Sequence, residues 1–433
     1  MKKTLSLVLA LAMLLGMASA VAEGKQIDGL GNRGITINPA GLNDDADTCW
    51  SNGVSPTTGR NLMEIEVPAG FLGLAVTGEY QPILVQISNA DNGMGSTEKI
   101  KGHRNAPVNG IYADVVYEAL QKSGGTESRM TYVFSDVVPD FVGFVRSTRI
   151  QHARIRAEWE GAFVTSGWNY AVKDVPNIWK ENNVPSPTGS RTAADPGIVY
   201  VGDLTSKGQP WGPFVYRLFG KSAIYEGPNT ELFNLTGLLT DVIPKDHVPA
   251  NHTWKFTDEI PAGGDEGKFV YIKFGNEYDT DSRLEYDSSN NCYIRYVKRA
   301  KGEEVPYRTN ILVDPEVKKV QGKGRNVKGF GLSVKGLEAG DPITFNNVIV
   351  QFVDYDWISF TRPNPKLIGS GNADYFMGGK HIAGVWDRKD LTSRTVFYGP
   401  DGNEIEMQRG RTLIILMPDG ASAKDKGAHV SYE

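Results

Sequence analysis

The sequence predicts an α+β protein: an N-terminal α/β layered domain with a mixed sheet, followed by a β-rich C-terminal domain. Two observations carry this expectation. Between residues 83 and 165, short apolar runs alternate with longer amphipathic ones, the pattern of strands interleaved with helices. Past residue 235 strand-type runs dominate, and Gly399-Pro400-Asp401-Gly402 between two of them is a hairpin signal, because Asp-Gly supplies the positive φ such turns require.

The chain opens with Met1-Lys2-Lys3, an apolar run from Leu5 to Met17, and the small-x-small sites Ala18-Ser19-Ala20 and Ala20-Val21-Ala22. This is the layout of a cleavable signal peptide, 1–22. It is too short for a transmembrane helix, which needs ~20 apolar residues. The expected mature chain is soluble and extracytoplasmic, secreted or associated with the cell envelope. A lipid anchor is not expected, because no cysteine follows the apolar run.

Residues 23–78 are rich in Gly, Asn, Asp and Pro and read as an irregular arm lying against the first domain. The α/β domain is expected over 79–235. Ile83–Ile87 reads as a strand, Ala113–Leu120 as an amphipathic helix, Met130–Phe134 and Phe141–Val145 as strands joined by a turn at Pro139-Asp140, Ser147–Glu160 as a helix, and Ala162–Thr165 as a further strand. Thr148 and Gln151 stand at capping-box spacing. A Pro-rich, weakly patterned stretch, 176–262, precedes the second half, and the connection is placed at 236–265. The β-rich domain, 266–420, holds strand runs at Phe269–Phe274, Tyr293–Val297, Val348–Val353, Ile382–Trp386, Thr395–Tyr398 and Leu413–Met417, with a tail at 421–433. Lys318–Lys335, with six basic residues among four glycines, reads as a flexible exposed loop.

A hydrophobic content of 40% and a charged content of 22% are those of a globular chain with ample core. The net charge of −5 gives no overall attraction to nucleic acid or to an anionic membrane. Cys49 and Cys292 could pair in an oxidising compartment or remain two separate thiols.

Arg146-Ser147-Thr148-Arg149 lies where a predicted strand hands over to a predicted helix. A helix start offers unpaired N–H groups and a partial positive charge; guanidiniums add bidentate donors and hydroxyls add more. The expectation is an anion site. The alternative is that Arg146 and Arg149 pair with Asp114 and Glu118 and merely hold the domain together.

Other motifs carry less. Ser96-Thr97-Glu98-Lys99 has the Ser-x-x-Lys spacing of penicillin-recognising enzymes, but the companion Ser-Asp-Asn and Lys-Thr-Gly motifs are absent. The six histidines lack metal-ligand spacing, and His247 and His252 read as solvated. Asp279-Thr280-Asp281 opens like a calcium loop without its later ligands. No metal and no cofactor is expected. The aromatic residues read mostly as core rather than as a carbohydrate platform.

Ser55-Pro56-Thr57-Thr58-Gly59, Pro82–Asn89, Ala113–Glu118 and Gly143–Arg149 resemble the N-terminal domain of the YerB-like lipoprotein family of Gram-positive bacteria. Asn347–Phe352, Gly378-Gly379-Lys380, Gly384–Trp386, Asp401–Ile405 and Arg409–Thr412 resemble its C-terminal domain, in the same order. The resemblance spans roughly residues 52 to 418. It implies an envelope location and a two-domain build without a reaction, and its recurrent acidic and basic positions fall on Asp114, Glu118, Arg146 and Arg149. This chain departs from the family at the lipobox cysteine, and at Gly227-Pro228-Asn229-Thr230, where no histidine stands.

The leading expectation is a protein that binds an anionic envelope component, a peptidoglycan or teichoic-acid fragment. Arg146 and Arg149 serve as clamps, Ser147 and Thr148 as hydroxyl donors, and Asp114 and Glu118 orient the arginines. The rivals are a hydrolase of cell-wall or phosphodiester linkages with Asp114 or Glu118 as general base, and a non-catalytic scaffold.

Overall fold

Strand Val115–Leu120 is buried at every position. It lies between the antiparallel strand Ser128–Phe134 and the parallel strand Thr412–Pro418, and a ten-stranded mixed sheet extends from it in both directions. One arm runs through Ser128–Phe134 to Ile83–Ser88 and Ala162–Val164. The other runs through Thr412–Pro418 to Asn347–Val353, Gly369–Met377, Lys380–Arg388 and Asp265–Glu266. The stretches 79–235 and 266–420 therefore share one sheet and one continuous core.

The computed structural model describes residues 24–27, 29, 31–40, 42, 49–89, 107–121, 128–165, 215–219, 231–250, 253–275, 281–298, 304–321, 328–359, 362–419 and 428–433. The expected signal peptide, the Ser96–Lys99 motif, Gly227–Thr230 and Asp279-Thr280 lie outside these residues. Among the described residues no helix is long and apolar enough to cross a membrane.

Successive strand residues face opposite ways, and this alternation sorts the central strand. Val116, Glu118 and Leu120 face a second, seven-stranded sheet that includes Phe269–Lys273, Ser282–Asp287, Cys292–Lys298 and His429–Tyr432. Tyr117 and Ala119 face the helix Ile150–Trp159, whose Trp159 Nε1 donates to Tyr117 Oη at 3.0 Å. A five-stranded sheet, Glu316–Gln321, Lys328–Ser333, Val215–Phe219, Glu231–Asn234 and Phe141–Gly143, carries its own small core of Phe141, Tyr216, Leu232 and Leu332.

The β-rich, mixed-sheet character matches the sequence reading, while several elements differ from it. Ala113–Leu120 is not a helix: a short 3-10 turn at Gly110–Tyr112 leads into the central strand. A strand buried on both faces loses the polar alternation that marks a strand, and its polar residue Glu118 mimics an amphipathic pattern. Phe141–Gly143 pairs with Glu231–Asn234 and not with Ser128–Phe134, so the expected hairpin is not formed. The helix begins at Ile150, and the cap is reciprocated by His152, whose Nδ1 accepts the Arg149 N–H at 2.9 Å, in place of Thr148 and Gln151.

The later strands lie where expected, and Gly402 takes the positive φ of 78° that its turn demands. The described ends of Lys318–Lys335 are strands and not loop, because Glu316–Gln321 and Lys328–Ser333 pair antiparallel. The arm divides: Lys25–Ile27 pairs with the last strand and Arg33 binds Asp374 at 2.6 Å, both in the C-terminal half, while Ser55 and Leu72 bond to Asp136 and Val138 in the N-terminal half. Cys292 is a buried free thiol, so it forms no bridge with Cys49. His247 Nε2 is hydrogen-bonded at 2.9 Å to the Glu160 carbonyl oxygen instead of being solvated.

The two large sheets meet at a buried ion pair. Arg295 Nη2, from Cys292–Lys298, reaches both Glu118 oxygens at 3.1 and 2.9 Å, and the two side chains are 1% and 0% exposed. Glu118 Oε1 also accepts from Ser128 Oγ at 2.6 Å and Asn89 Nδ2 at 2.7 Å, while the Arg295 guanidinium lies 5.0 Å from the Tyr307 ring centre. Removing one partner of such a pair strands a charge in the core. Glu118→Ala is expected to lower stability by ~3–5 kcal/mol, and Glu118→Leu with Arg295→Met to recover most of that loss, as read from urea unfolding midpoints. A double variant no more stable than the single one would contradict this assignment.

Candidate functional site

Residues from four elements meet where the helix Ile150–Trp159 begins. Arg129 stands opposite Ala119 across the strand pair, on the helix side of the sheet, and is 1% exposed. Its Nη1 donates to the Ser147 carbonyl oxygen at 2.5 Å, and Arg149 Nη1 approaches the same oxygen at 3.5 Å and the Thr148 carbonyl at 2.9 Å. Two guanidiniums thus converge just ahead of the first helical turn. Half-buried Arg146 is next in the chain, its N–H donating to the Gln86 carbonyl at 2.7 Å.

His152 sits among these cations, buried to 1% exposure. Because Nδ1 accepts a backbone N–H, the ring proton resides on Nε2. Burial, then Arg129 and Arg149, hold the imidazole well below its ordinary pKa, so the ring is a neutral Nε2–H donor at physiological pH. That Nε2 has no hydrogen-bond partner among the described residues. Neighbouring Gln151 donates through Nε2 to the Leu120 carbonyl at 3.3 Å, which fixes its amide and leaves Oε1 buried without a partner. Gln86, which takes the Thr131 hydroxyl on Oε1 at 2.7 Å, keeps a buried Nε2 in the same condition. Buried polar atoms left unmatched are uncommon in native folds and call for an explanation. The helix start adds its own partial positive charge, at the end where anions are stabilised. The arrangement is suited to receiving an oxyanion.

Several expected roles change. Ser147 stays half-exposed at the corner. The Thr148 hydroxyl donates to Thr165 Oγ1 at 2.5 Å and is committed there rather than to a ligand. Glu118 and Asp114 do not orient Arg146 or Arg149. Glu118 projects from the opposite face of the sheet to Arg295, because an even-numbered and an odd-numbered residue of one strand face apart.

Asp114 lies at the far end of that strand in a second polar cluster. Its Oδ2 accepts from Ser135 N, Ser135 Oγ and Asp136 N at 2.8, 2.6 and 2.9 Å, with Thr57 Oγ1 at 3.3 Å. Asp136 accepts from Ser55 Oγ at 2.7 Å and Thr58 Oγ1 at 2.6 Å. The Ser55–Gly59 segment is thereby tied to the strand end, and Gly410 N closes the cluster on the Thr58 carbonyl at 2.7 Å. Sequence reasoning did not single out Arg129, His152, Arg295 or Asp136. A charged residue inside an apolar strand run was the available signal for Arg129 and Arg295.

A β-rich chain whose two halves share a sheet around a buried cationic corner defines a structural class without a chemistry of its own. Family models place it further: the C-terminal domain of a protein family of unknown function, DUF3048, matches residues 270–414, and the N-terminal domain of the same family matches 103–193. The chain belongs to this two-domain, YerB-like family. The crystal structure of the YerB protein from Bacillus subtilis is similar over 87% of this chain and 99% of that one, with a TM-score of 0.54 and 17% identity, which shows a common fold. No curated protein matches the chain. Arg129, Arg146, Arg149 and His152 fall inside the N-terminal match, 103–193, and Arg295 inside the C-terminal match, 270–414.

The Asp114 cluster makes a pH prediction. Burial, with the Asp136 charge second, raises the Asp114 pKa well above the ordinary carboxylate range, and burial raises Asp136 too. A carboxyl with a raised folded-state pKa binds its proton more tightly folded than unfolded. It therefore stabilises the fold at low pH, and the contribution is lost as pH climbs from the ordinary range through the raised value. Asp114→Asn should flatten the decline in unfolding free energy above about pH 4, leaving the part owed to Asp136. An unchanged slope in denaturant titrations across that range would contradict the assignment.

Proposed function

We propose that this is an exported cell-envelope protein that binds an anionic ligand at the Arg129–Arg149–His152 corner, with Arg146 and Ser147 at its edge. The observation that carries the reading is the buried His152 Nε2, without a hydrogen-bond partner among the described residues, beside guanidiniums that converge on Ser147; burial and these cations lower the imidazole pKa. A neutral imidazole donor among cations suits an oxyanion, since it adds a hydrogen bond without another buried positive charge. Export rests on the charged, apolar and small-residue layout of residues 1–22, and the envelope setting also on the family resemblance.

The hydrolytic alternative requires a carboxylate base beside the clamp. Glu118 is engaged by Arg295 on the other face, and Asp114 by Ser135 and Thr57 at the other end of the strand. Neither is placed to serve the corner. The binding reading is the better supported.

Calorimetric titration of the mature chain with inorganic phosphate and pyrophosphate tests it. Saturable binding is expected, weakening as salt screens the half-buried arginines. Arg149→Ala should lower affinity by roughly 10- to 100-fold, since a hydrogen bond to a charged group contributes ~1.5–3 kcal/mol. His152→Phe, which keeps a ring but no donor, should weaken binding without unfolding the chain. Absence of binding to any oxyanion by the folded wild type would overturn the reading.

A further inference from the structure

The corner offers more than cations, and its unmatched groups differ in kind. His152 presents a donor, whereas Gln151 Oε1 is an acceptor whose identity is fixed, because the other end of the amide is spent on the Leu120 carbonyl. A bare, fully ionised oxyanion has only acceptors and would leave Gln151 Oε1 facing lone pairs. An occupant satisfying both groups must also bring a hydrogen-bond donor, and a hydroxyl is the donor that adds no further positive charge to a cationic corner.

The placement of the groups supports a shared occupant. Gln151 is held at Leu120, the neighbour of Ala119, and Ala119 is the cross-strand partner of Arg129. Arg129 in turn reaches the Ser147 carbonyl, in front of the helix turn that carries both Gln151 and His152. Gln121, the next residue after Leu120, adds a further buried Oε1 without a partner among the described residues. Cationic donors, a neutral donor and two amide acceptors thus surround one end of the central strand.

Resting on the anion-binding reading above, we infer that the ligand is a polyol phosphate: its phosphate lies toward Arg129, Arg149 and His152, and its hydroxyls donate to Gln151 Oε1 and Gln121 Oε1. The acceptors act as a selectivity filter. A site that hydrogen-bonds a substrate hydroxyl discriminates strongly against an analogue lacking it, because the buried acceptor is then left unpaired.

The test titrates the mature full chain with methyl phosphate, sn-glycerol 3-phosphate and a short poly(glycerol phosphate) oligomer. Glycerol 3-phosphate should bind at least about tenfold more tightly than methyl phosphate, one hydroxyl hydrogen bond being worth that factor. Gln151→Leu should weaken the preference for glycerol 3-phosphate, the Gln121 acceptor remaining, and Gln151→Leu combined with Gln121→Leu should remove it. Oligomer binding tighter than the monomer identifies a polymer segment as the ligand, and the reverse order identifies a soluble ester; either order supports the inference when the preference over methyl phosphate is present. Equal affinity of the wild type for methyl and glycerol phosphates overturns the inference while leaving the anion site standing. Failure of the wild type to bind any phosphate overturns both. The wild-type comparison decides the matter even where the Gln151 variant does not fold.

Discussion

The Glu118–Arg295 pair sets a condition on the rest of the structure. A carboxylate at the centre of a ten-stranded sheet has to be matched by a cation from the layer covering it, and Arg295 supplies that cation from the second sheet. Once Glu118 faces that sheet, alternation fixes every neighbour. Glu118 stands opposite Met130, which shares its face, so Ala119 and its partner Arg129 face the helix. A one-residue slip would exchange the faces, burying Arg129 against the second sheet and stripping the helix start of its innermost guanidinium. The register that satisfies the core thus also builds the cationic corner.

That corner combines features that are individually costly. Cations gather at the end of a helix where the backbone already contributes positive charge, and polar atoms are buried without partners. Departures of this kind from internally consistent folding concentrate at functional sites. The Asp114 cluster shows the contrast. There, too, carboxyls are buried, but hydroxyl and backbone donors from Thr57, Ser135 and Asp136 surround Asp114, and the result is a tie between chain segments. Internal matching marks the structural cluster, whereas the candidate site holds His152 Nε2 and Gln151 Oε1 without hydrogen-bond partners among the described residues.

Much of the strand content was legible in the sequence. Runs such as Phe269–Lys273 and Thr412–Pro418 declare themselves through apolar and β-branched residues, and the Asp401-Gly402 turn through its backbone requirement. The pairing of Val115–Leu120 with Thr412–Pro418 was not legible, because parallel partners far apart in the chain leave no local trace. Glu118 is expected from the sequence to orient Arg146 and Arg149 for the same reason: its partner, Arg295, belongs to the other half. The Arg146–Arg149 cluster was visible as a motif at a strand-to-helix junction. Arg129 and His152 were not, since only the fold brings a strand residue and the third helix position onto the same backbone turn.

Nitrogen-15 NMR of the His152 imidazole is the most direct measurement of the central claim, because it reports tautomer, protonation and ligand contact at one atom. A neutral ring protonated at Nε2 is expected, with no titration across the range where an ordinary histidine ionises and a shift at Nε2 on addition of phosphate or glycerol 3-phosphate. A ring that titrates normally, or an Nε2 signal indifferent to every phosphate tested, would contradict it.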